Sequence, residues 1–228
     1  MKRPQLLKHF DQVDPVMAAL VRAGGPCKLG ATPRASVHES LARSIAGQQL
    51  SGAVARRILE RLEALFDGAF PTPEQLAAAD VSALRSVGFS QAKVIALQDL
   101  AAHCLDGRLP DDATLVTLDD ETVIEHCCSV RGIGRWTAQM LLMFQLQRAD
   151  VLPVGDYGVC NGFRLAYGLK ALPQPKALAT WGARWSPYRS AAAWYLWRAV
   201  DLHRDDQLPA RSGRAPRVLQ VKPKAART

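Results

Sequence analysis

The stretch Gly132-Ile133-Gly134 sets two glycines around one apolar residue, after an apolar helical pattern and before a helical run expected over Ala138 to Leu146. Glycine at both places lets the backbone turn tightly and approach a ligand closely. Ile133 can bury itself between the two helices, and the N–H groups that open the second helix point outward. Such a turn holds an anion, a phosphate above all, without needing side-chain selectivity. A bare pair of glycines serves equally well as a helix C-cap, but the full run Val130-Arg131-Gly132-Ile133-Gly134-Arg135-Trp136-Thr137-Ala138 is far more specific. Farther along, Leu152-Pro153-Val154-Gly155-Asp156-Tyr157-Gly158 places a carboxylate, Asp156, 22 residues beyond Gly134. Taken alone, Asp156 reads as the N-cap of a helix through Tyr157, Val159 and Phe163.

The elements that must position these residues are helical almost throughout. Asp14-Pro15 is an N-cap followed by proline at the first helical position, with Gly24-Gly25 as its stop. Ser36-Val37-His38-Glu39 has the form of a capping box ahead of Leu41 and Ile45. Ser51 caps a helix ending near Gly68, Thr72-Pro73 opens a short one, and Asp80 opens another that closes at Gly88. Ser90 caps a helix ending at Gly107, and Leu118-Asp119 starts one that runs to about Cys128. No segment reads as a β-hairpin, so the fold class is all-α, with many short helices.

The divisions expected are an N-terminal helical segment over 1–35 that packs with the C-terminal half, and a helical subdomain over 36–146 that ends in the hairpin at 128–146. A C-terminal helical segment follows over 147–203, then a basic disordered tail over 204–228. Of the net charge of +8, the tail carries +5, from seven Lys/Arg against Asp205 and Asp206. Its Pro, Ala and Gly content reads as disorder. It reads either as a solvated extension or as a source of non-specific phosphate affinity. No apolar run reaches the roughly 18 residues of a membrane span, and no apolar segment follows Met1-Lys2-Arg3 as a secretory signal would. The five cysteines, Cys27, Cys104, Cys127, Cys128 and Cys160, are odd in number and form no CxxC pair. That suits reduced thiols in a cytosolic protein, with no metal site.

With these residues in place, the chain resembles the helix-hairpin-helix (HhH-GPD) DNA glycosylase superfamily. Within it, the match is to the AlkA-like 3-methyladenine glycosylases of alkylation repair. The resemblance spans roughly residues 10 to 203 and rests on four stretches: Ser44-Ile45-Ala46-Gly47-Gln48-Gln49-Leu50-Ser51, Val87-Gly88-Phe89-Ser90-Gln91-Ala92-Lys93, the hairpin, and the segment around Asp156. It implies two helical subdomains with the active-site cleft between them, and double-stranded DNA with alkylated bases as the partner. The hairpin then holds a backbone phosphate, which positions the protein but reads no sequence. Asp156 becomes the catalytic carboxylate. Breaking an N-glycosidic bond builds positive charge on the sugar, which a fixed carboxylate stabilises while orienting the attacking water.

The same resemblance places Trp136 and Trp197 nearest a base flipped out of the duplex, with Tyr157 and Met140 completing the pocket. Cationic alkylated purines suit an electron-rich aromatic face. Where the compared family member has a tyrosine, this chain has Met140, so its pocket is less aromatic. Trp185 and Trp194 read as core. Gln49, with Gln48 beside it, is the candidate wedge for the gap left by the flipped base. Arg131, Arg135 and Lys93 are candidates for phosphate contacts beside Gly132, Ile133 and Gly134. Asp150 and Glu125 are the nearest rival carboxylates but stand outside the motif register.

Bifunctional relatives carry a lysine two residues past the second hairpin glycine. Here Trp136 stands there, so lyase activity is not expected. Only Cys160 follows Asp156, so no iron–sulfur cluster can be built. The resemblance implies no cofactor, although the hairpin backbone could hold a monovalent cation. It also implies a compact monomer without the family's N-terminal β domain, with no membrane role, working in the cytoplasm at a bacterial nucleoid or in a nucleus. Two other readings stay open: a helix-hairpin-helix protein that grips DNA without chemistry, and a glycosylase for another lesion.

Overall fold

The computed structural model describes residues 2–30 and 35–210, which form helices with no strand among them, as the all-α reading requires. The chain divides into two compact units, one over 32–146 and one of the flanking segments 1–31 and 147–228. The expected disordered tail falls, from residue 211 on, outside the described residues.

The flanking unit begins with α1 (Arg3–Val13) and α2 (Pro15–Gly24). The sequence places a helical segment over 1–35 but shows no cap ahead of α1, in which Leu6 and Phe10 recur at helical spacing and are both fully buried. The central unit runs through α3 (Val37–Gly47), α4 (Gly52–Leu65), α5 (Pro73–Ala78), α6 (Val81–Ser86), α7 (Gln91–Leu105), α8 (Asp112–Thr117), α9 (Asp120–Ser129) and α10 (Arg135–Met140). The flanking unit resumes with α11 (Tyr157–Tyr167), α12 (Pro175–Gly182) and α13 (Arg189–Arg204).

Side-chain caps start most of these helices. Asp14, Ser51, Asp80, Ser90, Asp111 and Asp119 each accept a backbone N–H from the first turn. The expected box at Ser36 is only half made. Ser36 accepts from the Glu39 N–H at 3.1 Å, but the Glu39 carboxylate turns to the Arg43 guanidinium at 2.8 Å. The complete box belongs to Thr72 and Gln75. A second correction concerns the helix after the hairpin. It starts at Arg135, not Ala138, and loosens into a π-turn over Leu141–Gln145, where the Leu146 N–H reaches the Leu141 carbonyl at 3.0 Å.

The flanking unit is built around a buried carboxylate. Asp14 is 3% exposed. Its Oδ1 accepts the Met17 N–H, and its Oδ2 accepts the Tyr167 hydroxyl at 2.7 Å and the indole N–H groups of Trp185 at 2.9 Å and Trp181 at 3.2 Å. Phe163 stacks on Tyr167 with centroids 4.1 Å apart, and its edge meets Trp185. Trp185 is fully buried, as its core reading requires, whereas Trp194 is half-buried and edge-on to Tyr195. Burial pushes the Tyr167 phenol well above its ordinary range, and the Asp14 charge adds to the shift.

Candidate active site and DNA interface

The carboxylate site lies in the flanking unit. The segment leading into it is stitched to the start of α13. The Ser190 hydroxyl donates to the Arg148 carbonyl at 2.6 Å and accepts the Val151 N–H at 2.9 Å. Asp150 accepts from Arg189 and from the Ser186 hydroxyl. Burial opposes its ionisation, but these hydrogen bonds outweigh it and hold the carboxyl below the usual range. Asp150 is therefore a tether for α13. With Val151 and Leu152 buried, tight turns place Asp156 at the N-cap of α11.

Asp156 Oδ1 accepts the Val159 N–H at 2.7 Å and the Trp197 indole N–H at 2.8 Å. The capping role read from the sequence is thus real, and it fixes the rotamer of a half-buried carboxylate. Trp197, expected nearest the flipped base, turns the N–H edge of its indole onto Asp156. Two glycines allow that approach. A Cβ on Gly158 would stand 2.7 Å from Trp197 Cδ1 and 3.2 Å from Asp156 Oδ1. A Cβ on Gly162 would overlap the Leu196 carbonyl, so α11 and α13 meet there backbone to backbone. Tyr157, beside Asp156, is 70% exposed.

The hairpin lies in the central unit, between α9 and α10. The Ile133 N–H closes its turn on the Val130 carbonyl at 3.1 Å, and Ile133, 5% exposed, anchors it. Gly132 sits at φ +80°, a conformation side chains rarely adopt. Gly134 is extended, and a Cβ there would meet nothing within 4 Å. Its backbone therefore faces space that a ligand can enter. Arg131 anchors the turn through its own N–H, which donates to Asp99 Oδ2 at 2.7 Å. The Arg135 guanidinium forms an exposed double contact with Glu121 at 2.9 and 2.5 Å, which a phosphate can replace at little cost. Trp136 is 50% exposed. Met140 lines a cavity of about 710 Å³ with Thr137, Phe144, Ser40 and Ser44, and Trp136 is not among the residues that line it.

The loop after α3 faces the hairpin within the same unit. The Gln48 amide donates to the Gly132 carbonyl at 2.8 Å. Gln49, the expected wedge, is exposed and held at φ +58°. Lys93 departs from its phosphate-contact reading, since its ammonium turns inward onto the carbonyls of Ala46 and Gln48, each at 2.8 Å. Sequence reasoning missed this role, and it missed Gly158 and Gly162. The lysine stands in the Val87–Lys93 stretch, but its acceptors are backbone atoms some 45 residues away.

All five cysteines are free thiols. Burial pushes Cys127 up to about 12 and, with nearby acids, Cys104 up to about 11. Among the described residues no group of three His, Cys, Asp or Glu is placed to hold a metal ion, and no helix is long and apolar enough to cross a membrane.

Residues 42–187 match the family model of the HhH-GPD superfamily base excision DNA repair proteins. The chain is 37% identical over 166 residues to DNA-3-methyladenine glycosylase 1 of Schizosaccharomyces pombe, covering 72% of this chain and 73% of that one. An alkylbase DNA glycosidase-like protein of the same yeast is 32% identical over 202 residues, covering 88% and 95%. Among solved structures, a DNA-3-methyladenine glycosidase from Bacillus halodurans superposes with a TM-score of 0.80 at 36% identity, covering 88% and 91%. The Schizosaccharomyces pombe 3-methyladenine DNA glycosylase in complex with abasic DNA superposes with a TM-score of 0.76 at 33% identity, covering 85% and 95%. This chain belongs to the helix-hairpin-helix (HhH-GPD) superfamily of base excision DNA repair proteins.

Proposed function

We propose that the chain is a monofunctional DNA glycosylase that hydrolyses the N-glycosidic bond of alkylated bases flipped from duplex DNA, with Asp156 as its catalytic carboxylate. The observation that carries the role of Asp156 is its setting. It stands at the family's register beyond the hairpin, with Oδ1 fixed by the Val159 N–H and the Trp197 indole. A carboxylate held in this way does not need to reorganise as charge develops on the sugar. It stabilises the oxocarbenium-like transition state and orients the water that attacks the anomeric carbon. The bond from that carbon to the base nitrogen breaks with its electron pair going to the base, and an abasic site remains.

A base such as 3-methyladenine or 7-methylguanine already carries positive charge and leaves without an acid to protonate it, which agrees with a single carboxylate. Trp136, Trp197, Tyr157 and Met140 are its proposed surroundings, with the aromatic faces attracting the cationic ring. Trp136 stands where a lyase would carry its lysine, so the sugar forms no Schiff base. Gly132, Ile133, Gly134, Arg131 and Arg135 form the phosphate grip, and Gln48 and Gln49 the wedge loop. The reaction needs no cofactor. A monovalent cation at the hairpin would be a structural ion using the second lone pairs of turn carbonyls such as Val130, whose first accepts the Ile133 N–H. Such an enzyme acts as a monomer wherever the genome lies, at a nucleoid or in a nucleus.

The test uses duplex oligonucleotides carrying single 7-methylguanine, hypoxanthine or ethenoadenine lesions, incubated with wild type or Asp156→Asn and then treated with alkali. We expect strand breaks at 7-methylguanine from wild type alone, and only after alkali. Equal breaks from both proteins, or none on any lesion, contradict the assignment. Breaks without alkali contradict its monofunctional character.

A further inference from the structure

We propose that Lys93 and Gln48 are positioning residues that lock the loop carrying Gln49 to the hairpin, so that gripping the backbone and filling the vacated base position are done by one rigid piece. The proposal rests on the reading of Gln49 as the wedge.

Three observations carry it. The last turn of α3 leaves carbonyls without helical partners, and the Lys93 ammonium takes those of Ala46 and Gln48, each at 2.8 Å. A cation there also complements the negative end of the α3 dipole. Lys93 itself sits in the first turn of α7, where a cation is unfavourable for its own helix, so its place is explained by what it reaches. Secondly, the Gln48 side chain spans from this loop to the carbonyl of Gly132, the left-handed glycine at the hairpin tip. Thirdly, α7 also holds the hairpin, through Asp99 Oδ2, which accepts the Arg131 N–H at 2.7 Å. One helix therefore fastens both parts, the loop through Lys93 and the turn through Asp99, and Gln48 joins the two directly. Gln49 directly follows these fastenings and stands in the left-handed region, which a residue other than glycine keeps only when its surroundings fix it.

A lysine whose task is to hold carbonyls adds little to counterion release, so salt dependence separates the clamp from a phosphate contact. Lys93→Met, Lys93→Arg and Gln48→Met in the full-length chain should be compared with wild type by three measurements. These are single-turnover excision of 7-methylguanine, the salt dependence of affinity for an abasic duplex, and hydrogen exchange of the Gln48–Leu50 amides. We expect Lys93→Met and Gln48→Met to slow excision about tenfold, the equivalent of one lost hydrogen bond to a charged or tightly held group. Exchange of the loop amides should accelerate in both. The slope of log affinity against log salt should stay at the wild-type value, and Lys93→Arg should recover most of the rate.

A slope shallower by about one in Lys93→Met, with affinity falling in proportion, makes Lys93 a phosphate contact and overturns the proposal. Unchanged exchange of the loop amides in both methionine variants overturns it as well, whatever the excision rates. If wild type excises no alkylated base, the functional reading fails, but the exchange and salt measurements still decide whether the clamp exists.

Discussion

Asp14 and Asp156 belong to the same unit, cap successive helices of it, and accept indole N–H groups, yet their surroundings differ and suit opposite uses. Asp14 is 3% exposed, and two indoles, a phenol and a backbone N–H converge on it. It gathers α2, α11, α12 and the Trp185 segment around one charge. Asp156 is only half-buried, with one cap bond and one indole on Oδ1 and an exposed tyrosine beside it. A carboxylate enclosed by donors is a fastening. One that stays half-buried at a helix start can meet a developing cation, the use proposed for Asp156. The comparison teaches that donor type does not tell a buried fastening from a carboxylate left within reach of a ligand, whereas burial does.

The largest effect that could break this comparison is on stability. Asp14→Ala strands the Tyr167 hydroxyl and two indole N–H groups, of which Tyr167 and Trp185 are fully buried, and removes a cap. At about 1–3 kcal/mol for each stranded donor, unfolding free energy should fall by about 4 kcal/mol, read from urea denaturation. Asp156→Asn should do the reverse. Asparagine caps nearly as well, so stability should hold to within about 0.5 kcal/mol while single-turnover excision drops about 10³-fold. Trp197→Phe keeps an aromatic ring, though a smaller one, and removes the N–H from Asp156, and excision should slow about tenfold. Gly158→Ala pushes a methyl into the Trp197 indole, and the rate should fall by a similar or smaller factor, with the tryptophan emission shifting as the ring moves.

The smallest effect is alkaline. The folded-state pKa of the Tyr167 phenol is raised above its ordinary value of 10, so the folded state favours the protonated phenol. Its contribution is intact below pH 10 and lost as pH rises toward the folded value. Tyr195, which burial pushes up to about 12, adds to the same loss. Tyr167→Phe should flatten the decline of stability above pH 10, measured by denaturation at pH 9 to 11.

Much of the molecule was legible from local chemistry. Ser51, Thr72, Asp80, Ser90 and Asp119 announce helix starts because a cap uses a donor two or three residues away. The hairpin showed through its glycines, of which Gly132 is required by its backbone angle and Gly134 leaves room. Asp156 was legible as a cap from its surroundings, and as a catalytic candidate only through family resemblance. What stayed hidden depends on partners distant in sequence. Nothing near Asp14 announces residues 167, 181 and 185, and nothing near Lys93 announces the carbonyls at the end of α3. The half-made box at Ser36 has the same cause, since Glu39 finds a better partner in Arg43, which also reaches Glu63. Short helices carry too little periodicity to show by themselves; α5 and α6 were read from their caps, whereas no start was read for α8 and α12.

The central claim is tested most directly by taking Asp14→Asn and Asp156→Asn through the same pair of assays, urea denaturation and single-turnover excision of 7-methylguanine. Asp156→Asn should unfold like wild type and excise about 10³-fold more slowly. Asp14→Asn should be markedly less stable yet, at low temperature where it remains folded, excise at close to the wild-type rate. A folded Asp156→Asn protein that excises as fast as wild type would contradict the account.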